Sequence, residues 1–141
     1  MLYRNKKDQD ENAGKWIGVG GKLMEGESPD ECLLREVKEE TGLSLLRYRF
    51  RGIVTFVSDE WGTEQMFLYT SDQFEGTLTE CAEGELRWID REHVLDLPLW
   101  EGDRHFLKLL NETEEVFFLK LQYEGDTLVM VTRFPPTPER I

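Results

Sequence analysis

The chain has little positive charge, few cysteines and no long apolar run, and each shortage removes a class of function. Its 141 residues include 17 Lys and Arg against 29 Asp and Glu, a formal net charge of -12. Such a surface repels a nucleic-acid polymer or an anionic membrane, so neither is expected as a partner. A small anionic substrate stays open if metal cations bridge it to carboxylates. The two cysteines, Cys32 and Cys81, lack C-x-x-C spacing and offer neither a disulfide framework nor a zinc knuckle. They read as free thiols without a base for thiol catalysis. His93 and His105 have no companion metal-ligand pattern and read as structural. No stretch approaches the roughly 18 apolar residues that span a bilayer, and the start MLYRNKKDQDENAG lacks the apolar run of a signal peptide. The expectation is a cytoplasmic protein.

What is present is enough for one domain: 39% hydrophobic and 33% charged residues, with no repeat, low-complexity tract or dividing linker. Residues 1–4 read as the end of a short strand and 5–14 as a polar loop. The glycines of Gly18-Val19-Gly20-Gly21 allow close approach of backbone to a ligand. A helix is predicted over 29–41, where Ser28 and Glu31 form a capping box, Pro29 suits the first turn and Gly42 lies just past the end. Strands are predicted over 48–57 and 65–70, separated by a polar turn at 58–63, with a short strand over 86–89. A loop or short helix follows around 90–95, then a helix over 102–110 stopping near Asn111. A hairpin of 116–123 and 127–134 turns at Glu124-Gly125-Asp126, and the tail PPTPERI reads as loose. Strands punctuated by helices favour an α/β sandwich.

Within helix 29–41, Glu36, Glu39 and Glu40 sit at i, i+3 and i+4 and emerge on one face, while Leu33 and Val37 can bury the other. Each glutamate alone is an ordinary surface residue. Together their repulsion costs a few tenths of a kcal/mol in an isolated helix, which a hard divalent cation with oxygen ligands would offset. Arg35 either holds a neighbouring carboxylate in a bidentate contact or simply neutralises charge.

Residues 21–43, GKLMEGESPDECLLREVKEETGL, resemble a complete Nudix box: Gly21, Glu27, Arg35-Glu36-Val37, Glu39-Glu40 and Gly42-Leu43 at the family's spacing. The resemblance implies an α/β/α sandwich with a central mixed sheet, and hydrolysis of a nucleoside diphosphate linked to another moiety with Mg2+ or Mn2+. It implies metal binding by the main-chain oxygen of Gly21 and the carboxylates of Glu36, Glu39 and Glu40. Glu27 and Arg35 would brace the loop–helix–loop. Glu36 is the candidate for positioning or deprotonating the attacking water, with Glu39 and Glu83 as alternatives.

The stretches KWIGVGGK, SDQFEGTLTECAEGELRW and LPLWEGDRHFLKLL extend the likeness to the MutT-like subgroup that hydrolyses oxidised purine nucleoside triphosphates such as 8-oxo-dGTP. In that comparison Glu83 falls on an additional metal-associated glutamate; read alone, it is one acid in a solvated run. Attack at the β-phosphorus would release nucleoside monophosphate and pyrophosphate. Arg4 and Lys22 are candidates for phosphate oxygens, or ordinary surface charge. Trp16, Ile17, Phe67, Trp88 and Trp100 are candidates for an apolar base wall, and Trp100 and Asp103 match base-contacting positions of the subgroup. Two departures concern the base. Ile17 stands where an asparagine is usual, and Glu101-Gly102-Asp103 keeps only the second of two paired aspartates, which weakens the case for the same oxidised base. A third departure is that the chain starts almost at the segment LYRNKK, so the single domain 1–141 is read as lacking the usual first strand. An uncovered strand edge of this kind favours dimerisation, here as a homodimer, or aggregation. The competing readings are a Nudix hydrolase of ADP-ribose, a dinucleoside polyphosphate or a pterin triphosphate, and a Nudix nucleotide-binding module without turnover.

Overall fold

In a computed structural model, residues 1–6 and 12–134 are described. The tail expected to be loose and the middle of the polar loop lie outside the described residues. The elements are β1 (Leu2–Tyr3), β2 (Trp16–Ile17), α1 (Pro29–Thr41), β3 (Ser44–Ser58), β4 (Gly62–Glu75), β5 (Glu85–Leu86), a 3-10 turn (Arg91–Asp96), α2 (Glu101–Glu112), β6 (Phe117–Glu124) and β7 (Thr127–Phe134). They form a three-stranded sheet of order β2-β1-β5 and a four-stranded sheet of order β4-β3-β6-β7. The larger sheet is mixed, because β3 and β6 run parallel while β6 and β7 form an antiparallel hairpin. This is the α/β class that the alternation of strands and helices predicts.

The chain divides into two compact units, Met1–Tyr48 with Ser71–Leu99, and Arg49–Thr70 with the chain from Trp100 onward. In the first unit, α1 starts and stops where its caps require. The Ser28 hydroxyl accepts from the Glu31 N–H at 3.1 Å, and the Glu31 carboxylate accepts from the Ser28 N–H at 3.2 Å. Gly42 ends the helix at φ +81°, a left-handed conformation that favours glycine, and donates its N–H to the Lys38 carbonyl at 2.9 Å. Leu2, 1% exposed, sits at the middle of the small sheet opposite Ile17 and Leu86.

β3 and β4 run longer than their apolar content suggests. The ends of β4 are polar, which hides a strand from a hydrophobicity pattern, yet Arg47 of β3 makes a two-nitrogen contact to Asp72 of β4 (2.6 and 3.2 Å), and the Ser71 hydroxyl donates to the Arg47 carbonyl. β5 is shorter than predicted. Past Leu86 the Arg87 N–H still reaches the Met1 carbonyl at 3.1 Å, and Trp88, 68% exposed, stacks on Phe74 at 5.3 Å.

In the second unit, Val54, Phe106, Phe117, Leu119, Leu121 and Tyr123 form the apolar core between α2 and its strands. Burying one such side chain stabilises the fold by about 1.5–3 kcal/mol. The buried Arg51 guanidinium donates to the carbonyls of Leu110 and Thr113 at the end of α2, where helix carbonyls lack partners and a cation is favoured. This carries α2 past Asn111 to Glu112. At the other end, the Tyr123 hydroxyl accepts from the Gly102 N–H at 2.7 Å. A Cβ on Gly102 would lie 2.4 Å from that oxygen. Gly102, which departs from the paired aspartates of the resembled subgroup, is therefore demanded by packing.

Candidate active site

Arg35 is the hub of the candidate site, which lies in the first unit. Projecting from α1, its Nε and Nη2 donate to the two oxygens of Glu27 at 2.7 and 2.9 Å, a bidentate contact. Nη2 also donates to the Lys22 carbonyl at 3.1 Å, and Nη1 donates to Glu36 at 2.6 Å and Glu39 at 3.1 Å. Glu27 accepts in addition from the Met24 N–H at 3.0 Å. The loop 21–28 is thereby tied to the helix that follows it. The Arg35 contact, with the Met24 N–H, lowers the Glu27 carboxyl to a pKa of about 2.

The three helix glutamates share a face by spacing but differ in depth. Glu39 is exposed, Glu36 is half-buried and Glu40 is 9% exposed. Glu36 lies against Gly21 so closely that a Cβ there would come within 2.3 Å of its carboxyl carbon. Any other residue at position 21 would displace it. The Gly21 carbonyl accepts from the Cys32 thiol at 3.8 Å, and burial pushes that thiol's pKa up. Glu40 accepts from the Gly20 N–H at 3.2 Å and meets Glu83 side chain to side chain. Burial first, then the charges of Glu83 and Glu36, raise its pKa to about 7 against the opposing pull of the Gly20 N–H. Glu83 is in turn approached by Arg4, whose Nη1 lies 3.4 Å from its Oε2.

The structure therefore brings Gly21, Glu27, Arg35, Glu36, Glu39, Glu40, Glu83 and Arg4 into one linked network. Their donor chemistry fits a hard divalent cation: the carboxylates offer oxygen ligands only, and four of the five contact one of two guanidinium groups. Among the described residues no three His, Cys, Asp or Glu side chains converge on one point in a metal-holding arrangement. The reason is visible in the bonds, since Arg35 engages Glu36 and Glu39 while Glu40 turns to Gly20 and Glu83.

The remaining candidates are placed as follows. The Lys22 side chain is exposed. Trp16 is buried, with its ring 5.1 Å from that of Tyr3 and its N–H on the Pro98 carbonyl, and Ile17 pairs with Leu2. Trp100 and Asp103 belong to the second unit. There Trp100 packs edge-on against Tyr123 at 5.6 Å, and Asp103 is buried in the first turn of α2 with its N–H on the Trp100 carbonyl. Two contributors were not legible beforehand. The Gly20 N–H is a main-chain donor, and Lys6, whose Nζ donates to the Cys81 carbonyl at 2.8 Å, gave only the weak signal of a second cation two residues after Arg4.

The chain is similar to several known proteins. Residues 1–110 match the NUDIX domain. A Bacillus subtilis protein described as the uncharacterized Nudix hydrolase YvcI is 29% identical over 131 residues, covering 87% of this chain and 81% of its own length. The mouse oxidized purine nucleoside triphosphate hydrolase is 32% identical over 101 residues, 70% of this chain and 64% of its own. The crystal structure of a mutator MutT protein from Bacillus halodurans matches with a TM-score of 0.84 at 28% identity, over 96% of this chain and 89% of that one.

Proposed function

We propose, for a chain that belongs to the Nudix hydrolase family, Mg2+-dependent hydrolysis of purine nucleoside triphosphates, oxidised ones such as 8-oxo-dGTP among them, to nucleoside monophosphate and pyrophosphate. Nudix hydrolases act on nucleotides and generally use a divalent metal. The carrying observation is that Arg35 holds Glu36 and Glu39, Glu36 lies against Gly21, and Glu40 sits deeper on the Gly20 N–H. The name of the mouse relative supports the substrate class.

In this reading Gly21, Glu36, Glu39, Glu40 and Glu83 hold the metal, with Mn2+ as an alternative ion. The bound cation supplies charge neutralisation for the triphosphate and a Lewis-acid hold on the attacking water. Glu36 orients that water or takes its proton, and Glu27 and Arg35 keep the helix and its preceding loop in register. Lys22 contacts phosphate oxygens. Trp16, Ile17, Trp100 and Asp103 keep the substrate-binding roles that their sequence positions suggest.

The base is the open part of the specificity. Ile17 offers no polar side-chain group, and the Tyr123 hydroxyl occupies the space that a side chain at Gly102 would need. Fewer such hydrogen-bonding groups give weaker discrimination between related bases, so ADP-ribose and a dinucleoside polyphosphate belong in the test beside dGTP, 8-oxo-dGTP and dATP. Chromatography of the products with Mg2+ decides between them. Preferential conversion of 8-oxo-dGTP to its monophosphate and pyrophosphate supports the oxidised-purine substrate. Preference for ADP-ribose or the dinucleotide moves the substrate elsewhere within the family, and binding without turnover leaves a nucleotide-binding module.

A further inference from the structure

The N-terminal segment and the loop that carries Glu83 are fastened to each other at several points, and Arg4 is the fastening nearest the carboxylates. Its main chain is held on both sides, by its N–H on the Lys15 carbonyl and by the Gly14 N–H on its own carbonyl, each at 3.0 Å. The loop between β4 and β5 is anchored equally well. The Thr79 N–H donates to the Thr41 carbonyl at the end of α1 at 2.9 Å, the Lys6 ammonium holds the Cys81 carbonyl at 2.8 Å, and Cys81 bridges to Gly84. The register Leu2↔Leu86 and Tyr3↔Glu85 then fixes the loop's far end to β1. Inside this frame the Arg4 side chain, 15% exposed, lies 3.4 Å from the Glu83 carboxylate.

We propose that Arg4 is a positioning residue that holds the Glu83 carboxylate beside Glu40, so that the two are already gathered when a divalent cation arrives. This deepens the metal-dependent reading above and rests on it. The physical reason is the repulsion between two carboxylates brought side to side. Without the guanidinium, Glu83 gains by swinging towards water, and a cation must first bring it back. With the guanidinium in place that ordering is already done, which is how groups behind a ligand raise metal affinity, by about 10–100-fold where such partners have been removed. A phosphate-binding role needs the guanidinium on the substrate instead. The present contact directs Nη1 at Glu83.

The test uses Mn2+ alone as the probe, followed by calorimetry or by the loss of its free electron-resonance signal, on the full chain without nucleotide. Wild type is compared with Arg4→Met, Arg4→Lys, Glu83→Gln and the double variant Arg4→Met/Glu83→Gln. The expected result is an affinity about tenfold weaker in Arg4→Met, partial recovery in Arg4→Lys, and no further loss when Arg4→Met is added to Glu83→Gln. With metal saturating, KM for a nucleoside triphosphate stays at the wild-type value. Unchanged Mn2+ affinity with a raised KM would overturn the proposal in favour of phosphate contact, and an equal loss in the Glu83→Gln background would overturn it in favour of a general effect on folding. Should Arg4→Met fold poorly, Arg4→Lys and Glu83→Gln with their double variant carry the same comparison. Failure of wild type itself to bind Mn2+, or undiminished binding in Glu40→Gln, defeats the underlying metal reading and is distinguished because it does not depend on position 4.

Discussion

Phe117 in the second unit and Arg35 in the first are each the centre of their surroundings, and they hold those surroundings by opposite means. Phe117 is 1% exposed among Val54, Phe106, Leu119, Leu121 and Tyr123, so its contribution is apolar area removed from water. Arg35 touches Glu27, Glu36, Glu39 and the Lys22 carbonyl, all through charge-assisted hydrogen bonds at a partly exposed surface. Apolar packing of this kind draws nothing from added ions. The acidic unit gathers like charges around two guanidinium groups and keeps one carboxylate, Glu40, largely out of water, an arrangement that costs stability and makes it responsive to protons and to added cations.

The largest effect that sharpens this contrast is expected in the core. Phe117→Ala should cost about 3–5 kcal/mol in denaturant unfolding, with no recovery on adding Mg2+ or Mn2+; a cost under about 1 kcal/mol would mean that Phe117 is not the packing centre. Tyr123→Phe comes next. It leaves the buried Gly102 N–H without its acceptor and should cost about 1–3 kcal/mol, again independent of metal. Arg35→Met should lower metal-free stability by a smaller amount, but here Mn2+ should restore part of the lost Tm by taking over the neutralising charge. Recovery in Phe117→Ala, or none in Arg35→Met, would erase the distinction between the units.

The smallest effect is in pH dependence. Glu40 has its pKa raised from 4.5 to about 7 in the folded protein, chiefly by burial. The folded state therefore binds its proton more tightly than the unfolded state does. The resulting stabilisation is fully present below pH 4.5 and fades as pH rises through about 7. In metal-free buffer wild type should lose stability over that window, by on the order of 1–2 kcal/mol, and Glu40→Gln should lose less, because its amide can still accept from the Gly20 N–H and carries no charge to desolvate. Identical pH curves for the two would show that Glu40 does not feel this environment.

Much of the fold was legible because local chemistry and tertiary placement agree. The capping box of Ser28 and Glu31 and the stop at Gly42 predict α1 as 29–41, and it forms there. The hairpin of β6 and β7 follows from alternation around a glycine turn. β4 was longer than predicted because its ends are joined by polar contacts such as Arg47 with Asp72, which no hydrophobic pattern reports. For the site, the glutamates could be placed on one face by spacing, but burial of Glu40 depends on Gly20 and Glu83, 20 residues before it and 43 after it. Arg4 reads from sequence as a phosphate contact or ordinary surface charge, since Glu83, which it approaches, lies far along the chain. The reason for glycine at position 102 lies with Tyr123, 21 residues later. Long-range partners of polar groups are the part that sequence spacing does not encode.

The central claim is that the carboxylates of α1 serve a metal-dependent cleavage of nucleoside triphosphates, and it is tested most directly by resolving the products of wild type and Glu40→Gln with Mg2+ and after chelation. Nucleoside monophosphate and pyrophosphate from wild type only with metal present, together with a loss of about 100-fold or more in Glu40→Gln, is the predicted result. Turnover that survives chelation, or a Glu40→Gln variant working at the wild-type rate, would contradict it.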